Sequence, residues 1–308
     1  MKEMNNRSAF EYKAGQTVIN QAFIEQCDRE LDSLLESAVA SICDGWKECR
    51  VLGLTGPTCS GKTTAAKKLL RHLEDEERRV VTVSLDDFFK DTFSRKELEN
   101  ADVTKLDFDS PDTLDTELLG EFLDEIFAKG RAKKPIFDFV SGERARYEEL
   151  ELDGDDVLLL EGIQVVYPAV ISVIEAHGGR ILGVRPESGI EIGGRKFEPD
   201  FIRLCRRIVR DANFRGAAPD FTLGLWDSVR RNEEENIFPH LDRCDVRIDT
   251  TLAYELNVLV PYLRRILPEI EESSCYYKQS QEMLALLEDV EGIESFVISP
   301  DSLYKEFV

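Results

Sequence analysis

Residues 51–64 read Val-Leu-Gly-Leu-Thr-Gly-Pro-Thr-Cys-Ser-Gly-Lys-Thr-Thr, and no other stretch restricts the fold as much. Gly56 to Thr63 has the spacing G-x-x-x-x-G-K-T. An apolar, strand-like entry (Val51–Leu54) and a helix-like exit (Ala65 to Leu70) flank it. A loop of this spacing wraps its backbone N–H groups around a nucleotide phosphate, so Gly56, Pro57, Thr58, Cys59, Ser60, Gly61, Lys62, Thr63 and Thr64 form the expected cradle. Lys62 then reaches the β- and γ-phosphates, and the Thr63 hydroxyl binds Mg²⁺. Such a loop sits between a buried strand and a helix, which points to an α/β chain.

The rest of the pattern agrees. Val51–Leu54, Val80–Leu85, Val157–Leu160, Ile181–Val184 and Val246–Asp249 read as short apolar strands. Between and after them, Thr63–Leu73, Leu114–Phe127, Val165–Ala176, Phe201–Asn213 and 254–267 read as helices. Strands alternating with helices predict a parallel sheet sandwiched by helices, with a ligand at the carboxyl ends of the strands. Residues 185–200 are rich in Gly, Pro and charge and read as a loop. Up to about residue 48 the chain reads as helical. Leu31, Leu34, Leu35, Val39 and Ile42 make one apolar stripe there, which packs on the main domain or forms a contact in a homo-oligomer. An acidic amphipathic helix over Gln281–Val290 and a short tail close the chain. The expected organisation is an N-terminal helical extension (1–48), a phosphate-loop domain (49–267) with a helical lid at about 200–240, and a C-terminal helical tail (268–308).

Composition limits the partners. The formal net charge is −22 over 308 residues, and that field repels nucleic-acid backbones and anionic membranes. A local Lys/Arg cluster still accommodates a nucleotide. No apolar run is long enough to span a membrane, and no signal-peptide core opens the chain. The seven cysteines are odd in number and form no C-x-x-C pair, which suits a reducing cytoplasm. Cys59 reads as a loop residue whose backbone matters more than its thiol. The three histidines show no metal-ligand spacing.

Phosphoryl transfer to a hydroxyl needs a phosphate cradle, a metal, a base and cations. Asp86, at the end of the second strand, is placed to take the acceptor's proton and to contact the metal shell, or merely to cap a helix. Glu161 ends the apolar run 157–160, the strand-then-carboxylate arrangement that holds Mg²⁺. Five arginines (Arg203, Arg206, Arg207, Arg210, Arg215) crowd one helix and its end. Arg203, Arg207 and Arg210 share a face, as a lid requires, unless these arginines pair with nearby acids instead.

The strings GPTCSGKTT, SLDDFFKD, LDFDSPDTLD, KPIFDFVSGER, LLLEGI and RRIVRDANFRG, in order and spacing, resemble the uridine kinase and phosphoribulokinase family of P-loop kinases. The resemblance covers about residues 50–265, and the C-terminal part is most similar to the longer uridine-kinase-like proteins. It implies a P-loop NTPase fold, ATP as donor and Mg²⁺ held by Thr63, Asp86 and Glu161. Asp86 would activate a sugar hydroxyl, and Asp109 would bind ribose hydroxyls. Phe137 and Phe139 would flank the base, and Arg144 and Arg207 would contact the acceptor. Lys62, Arg207, Arg210 and Arg215 would neutralise the transferring phosphoryl group. The implied activity is transfer from ATP to the 5′-hydroxyl of a nucleoside, or the same chemistry on a non-nucleoside sugar or polyol. The chain departs from the family pattern at Phe137 (a tyrosine there in uridine kinases), at Gly142 (a histidine in pyrimidine-specific members), and at Ala217. The first two departures remove polar contacts to a base, and Ala217 stands in the lid where minimal members often carry a second arginine. Two other classes fit less well. A nucleotide switch would draw on Thr104-Lys105-Leu106-Asp107, but that string comes too early in the chain. An idle binding protein would not be expected to keep Lys62 and Asp86.

Overall fold

The computed structural model describes residues 19–43, 49–75, 78–91, 110–139, 141–294, 299 and 302–308. Asp109 and the string 104–107 lie outside the described residues.

Five parallel strands form the central sheet: β1 (Val51–Thr55), β2 (Val80–Ser84), β5 (Val157–Glu161), β6 (Arg180–Arg185) and β9 (Val246–Asp249). Their order is β2-β5-β1-β6-β9, so the strand that feeds the phosphate loop is central. Both faces are covered, as the continuous apolar runs predict. In β5, Val157 and Leu159 join one buried cluster while Leu158 and Leu160 join the other. That alternation is the period-2 geometry of a strand.

One face is covered by α1 (Gln21–Cys43), α2 (Lys62–Asp75), α5 (Pro199–Arg215) and α7 (Glu255–Ile266); the other by α3 (Thr116–Lys129) and α4 (Pro168–Ala176). The apolar stripe of α1 buries Ile24, Leu31, Leu35 and Ile42 against α2 and β9. It is used within the chain rather than left for a second copy. Lys68 pairs with Asp32 across that contact, and the Tyr254 hydroxyl donates to Asp28 at 2.5 Å.

Two hairpins depart from the sequence reading. Residues 185–200 are not a plain loop: β7 (Ile190–Ile192) pairs antiparallel with β8 (Arg195–Phe197). The connecting Gly193-Gly194 has φ of 59° and 78°, the conformation that a two-residue hairpin turn requires. Glycine and charge disguised three-residue strands. β3 (Arg131–Asp138) and β4 (Glu143–Glu151) form a second hairpin. Most of β4 is exposed, so its sequence lacks the apolar run that marked the buried strands. Near the C-terminus the helix is α8 (Tyr277–Leu286), earlier than the expected Gln281–Val290. Leu287 and Val290 still bury their side chains beyond its end. α6 (Pro219–Asn232) follows α5, and the segment 302–308 returns to the core through Leu303, Tyr304 and Phe307.

Candidate active site

The loop after β1 is fixed by close packing. A Cβ on Gly56 would collide with the Val184 carbonyl at the end of β6 and with the Ser60 hydroxyl. From beneath, the Arg206 guanidinium donates to the Cys59 carbonyl at 3.1 Å, and the Thr250 hydroxyl donates to the Ser60 carbonyl at 2.7 Å. Lys62 arches back over its own loop and donates to the carbonyls of Gly56 (2.6 Å) and Pro57 (3.0 Å). Burial pulls the Lys62 ammonium below its ordinary pKa, while Cys59, Glu306, Asp86 and Glu161 act the other way. Ser60 Oγ is buried with no hydrogen-bond partner among the described residues. A hydroxyl in that condition fits an incoming phosphate oxygen. The Cys59 thiol is buried, and the backbone of that residue makes the contact.

Two carboxylates meet the loop. β2 ends at Ser84, whose hydroxyl accepts from Asp86 N–H at 3.3 Å and caps the short turn Leu85–Phe88. That turn separates the consecutive aspartates. Asp87 faces the β3–β4 hairpin, where Lys134 donates to it at 2.6 Å and Phe137 N–H at 3.3 Å. Asp86 faces the cleft, where the Gln164 amide donates to Oδ1 at 2.8 Å. Glu161 ends β5 beside them. Burial pushes its carboxyl above the ordinary glutamate value; Lys62 opposes the shift, and Asp86 and Glu306 add to it.

The basic helix divides its arginines. Arg203 is buried and donates to both oxygens of Glu233 at 2.6 and 2.5 Å; Arg206 is buried and donates to Glu255 at 2.6 and 3.0 Å. The expectation that Arg203 shares the open face with Arg207 and Arg210 is therefore corrected: Arg203 and Arg206 are internal ion pairs that brace the helix and the loop. The other three gather on Asp211. Arg210 Nη2 lies 2.7 Å from Oδ1, Arg207 Nε 3.4 Å from Oδ2, and Arg215 Nε 3.7 Å from Oδ1. Arg210 also donates to the Thr58 hydroxyl at 3.4 Å. Burial and the neighbouring Arg210 depress the Arg215 pKa.

These groups line one cleft of about 480 Å³: loop residues 57–63, Asp86, Glu161, Gln164, Arg207, Arg210, Arg215 and Glu306. Gly56 and Thr64 lie just outside the lining. Thr64 donates through its N–H and hydroxyl to Glu306 at 2.5 and 2.6 Å. Phe137, Phe139 and Arg144 are not part of the lining. The two phenylalanines form an edge-to-face trio with Phe89, at centroid separations of 5.2 to 6.0 Å, and Phe139 is 62 % exposed. Arg144 donates to Asp115 at 2.6 Å and to the Phe89 carbonyl at 3.0 Å, tying the β3–β4 hairpin to the site's edge. Gly142 sits in the turn of that hairpin, its N–H on the Asp138 carbonyl at 2.7 Å. Among the described residues, no three of His, Cys, Asp and Glu cluster to hold a metal ion unaided.

Gln164, Asp211 and Glu306 were not singled out from the sequence. Asp211 had a readable signal, with arginines one and four residues before it and four after. Gln164 lies three residues beyond Glu161, with no motif of its own.

A family model described as "Phosphoribulokinase / Uridine kinase family" matches residues 51–255, more than half of the chain. The chain belongs to the phosphoribulokinase/uridine kinase family. A uridine kinase of Clostridium novyi is 29 % identical over 222 residues, covering 71 % of this chain and 97 % of that one. A chloroplastic uridine/cytidine kinase, UKL1, of Arabidopsis thaliana is 33 % identical over 216 residues, covering 68 % of this chain and 40 % of that one. A solved structure titled a possible uridine kinase from Bacillus stearothermophilus overlays with a TM-score of 0.43 at 17 % identity, covering 70 % of this chain and 100 % of that one. Within the family match fall the loop, Asp86, the β3–β4 hairpin, Glu161 and the arginines. The helix α1 and the segment that carries Glu306 fall outside it. As a member of this family, the chain is a P-loop phosphotransferase.

Proposed function

We propose that the protein transfers the γ-phosphoryl group of ATP to a hydroxyl of a small sugar-containing metabolite, with the 5′-hydroxyl of a uridine- or cytidine-like nucleoside as the first candidate. The observation that carries this reading is the shared cleft: a phosphate loop, one carboxylate held by an amide, a second, half-buried carboxylate and three arginines face a common space. The uridine kinases among the relatives support the nucleoside as acceptor.

ATP supplies the phosphoryl group, and Mg²⁺, when bound, offsets charge on the phosphates. Thr63, Asp86 and Glu161 are the residues that would hold the metal, with phosphate and water completing its shell. Asp86 accepts the acceptor's proton and is oriented for this by Gln164. Lys62 leaves its loop carbonyls for the phosphates, since a buried ammonium gains from an anionic partner. Arg207, Arg210 and Arg215, gathered on Asp211, balance charge that develops on the transferring group. Closure of the α5–α6 lid over the cleft excludes water. In this reading residues 49–267 are the kinase domain, 1–48 an extension and 268–308 a tail. Among the described residues no helix is long and apolar enough to cross a membrane; a cytoplasmic site of action is part of the proposal.

A second acceptor class is favoured by one observation. Phe137 has no hydroxyl and Gly142 no side chain, so the β3–β4 hairpin offers fewer hydrogen bonds to a base edge. A site without them discriminates bases less, by a few kcal/mol. A non-nucleoside sugar or polyol fits such a wall. The test is ADP release across a panel of nucleosides, sugar phosphates and polyols. The proposal predicts turnover with pyrimidine nucleosides above all others. Turnover only with a polyol or sugar phosphate would move the acceptor to the second class, and ADP release with none of them would reject the reading.

A further inference from the structure

The first turn of α2 carries a carboxylate from the far end of the chain. Glu306 Oε1 accepts from Thr64 N–H at 2.5 Å and from the Thr64 hydroxyl at 2.6 Å, across 242 residues of sequence. The N–H groups of a helix's first turn have no partner inside the helix, and after a phosphate loop they form part of the anion site. Glu306 therefore sits on a donor that the loop would otherwise present to phosphate. It also lines the same cleft as Lys62 and Asp86, and its charge acts on Lys62.

The seat is built rather than accidental. Leu303, Tyr304 and Phe307 are buried. The Leu303 side chain lies where a Cβ on Gly61 would stand, so the tail packs directly on the loop. The Arg206 guanidinium, which braces the loop, lies 5.7 and 5.5 Å from the Tyr304 and Phe307 rings. Asn213, on the lid helix α5, donates to the Phe307 carbonyl at 3.0 Å. The Ser302 hydroxyl donates to Asp28 of α1 at 3.1 Å and also caps the turn Leu303–Glu306. Side chains on both flanks thus place one carboxylate on one N–H.

We propose that the segment 302–308 is an intramolecular competitor for the phosphate cradle, with Glu306 as the competing anion. Two anions do not share one N–H donor, and a carboxylate beside a phosphate is repelled. Seating of Glu306 on Thr64 and full engagement of a nucleotide's phosphates exclude each other. By reciprocity, the docked tail weakens nucleotide binding by the same factor as nucleotide loosens the tail. The factor depends on occupancy: a tail seated nine-tenths of the time would weaken apparent affinity about tenfold. The proposal rests on the reading of residues 56–64 as a phosphate cradle.

The test uses the 308-residue chain and ATP without added metal. Binding is measured by titration calorimetry for the native protein, Glu306→Ala and Phe307→Ala, the last loosening the seat without touching the charge. Amide hydrogen exchange in 302–308 is followed with and without ATP. The proposal predicts that Glu306→Ala binds ATP about five- to tenfold more tightly, that Phe307→Ala shifts the same way, and that ATP speeds exchange in the segment. Equal or weaker binding by Glu306→Ala, or exchange that ATP leaves unchanged or slows, overturns it. If no form of the protein bound ATP, the cradle reading would fall with it; equal binding by all forms would remove the competitor alone.

Discussion

Replacing Gln164 by leucine tests how Asp86 is held. The Gln164 side chain is 1 % exposed, its amide nitrogen lies 2.8 Å from Asp86 Oδ1, and its own Oε1 has no partner among the described residues. Leucine is of similar size, and the Asp86 oxygen that loses its donor belongs to a half-buried residue that water can reach, so the fold should tolerate the change. What is lost is one hydrogen bond to a charged group, worth about 1.5–3 kcal/mol. If that bond holds the carboxylate where the acceptor's proton arrives, kcat falls roughly ten- to hundredfold, at about 1.4 kcal/mol per factor of ten. The acceptor KM should stay within about threefold, since the amide contacts the base and not the acceptor. Steady-state kinetics at saturating ATP, with a thermal melt as control, reads both. A variant that melts normally and keeps kcat within twofold would refute the positioning role.

Glu161→Gln bears on the half-buried carboxylate at the end of β5. Its pKa is raised in the fold above 4.5, so the folded chain holds its proton more tightly than the unfolded chain. Stability from this group is present below the unfolded value and is lost as pH rises through the folded one. In metal-free buffer at pH 7 the variant should therefore be more stable than the native protein, and the gap should close below about pH 4.5; urea titrations at both pH values decide it. Glu255→Gln leaves Arg206, which Glu255 keeps charged against the cost of burial, without a counter-ion. Loss of a buried partner costs about 3–5 kcal/mol, and a loss below about 1 kcal/mol in urea unfolding would contradict the bracing role. Arg215→Ala should lower kcat about tenfold or more while acceptor KM changes little; an unchanged kcat removes it from the lid.

The sheet and the loop were legible because their physics is local. Buried parallel strands must be apolar on both faces, so 51–54, 157–160 and 181–184 announced themselves. The G-x-x-x-x-G-K-T spacing carries its own geometry. The β3–β4 hairpin was not legible, since Arg131-Ala132-Lys133-Lys134-Pro135 and the exposed strand opposite have no period to read. The arginines were legible as a cluster but not in their division. Whether Arg203 points to Glu233 or to the cleft depends on acids 30 residues away in sequence. Glu306 on Thr64 had no local signal, because the two residues lie 242 positions apart in sequence. The orientation of the two neighbouring aspartates likewise depends on distant elements: Gln164 holds Asp86 toward the cleft, and Lys134 holds Asp87 toward the β3–β4 hairpin.

The central claim is that a phosphate held at Lys62 passes to an alcohol whose proton Asp86 takes. It is tested most directly with γ-labelled ATP and the acceptor that turns over best, comparing the native protein with Asp86→Asn. The account predicts label on the acceptor oxygen with the native protein, a loss of at least about a hundredfold in the variant, and ATP affinity little changed between the two. Label on no acceptor at all, or near-normal transfer by Asp86→Asn, would contradict it.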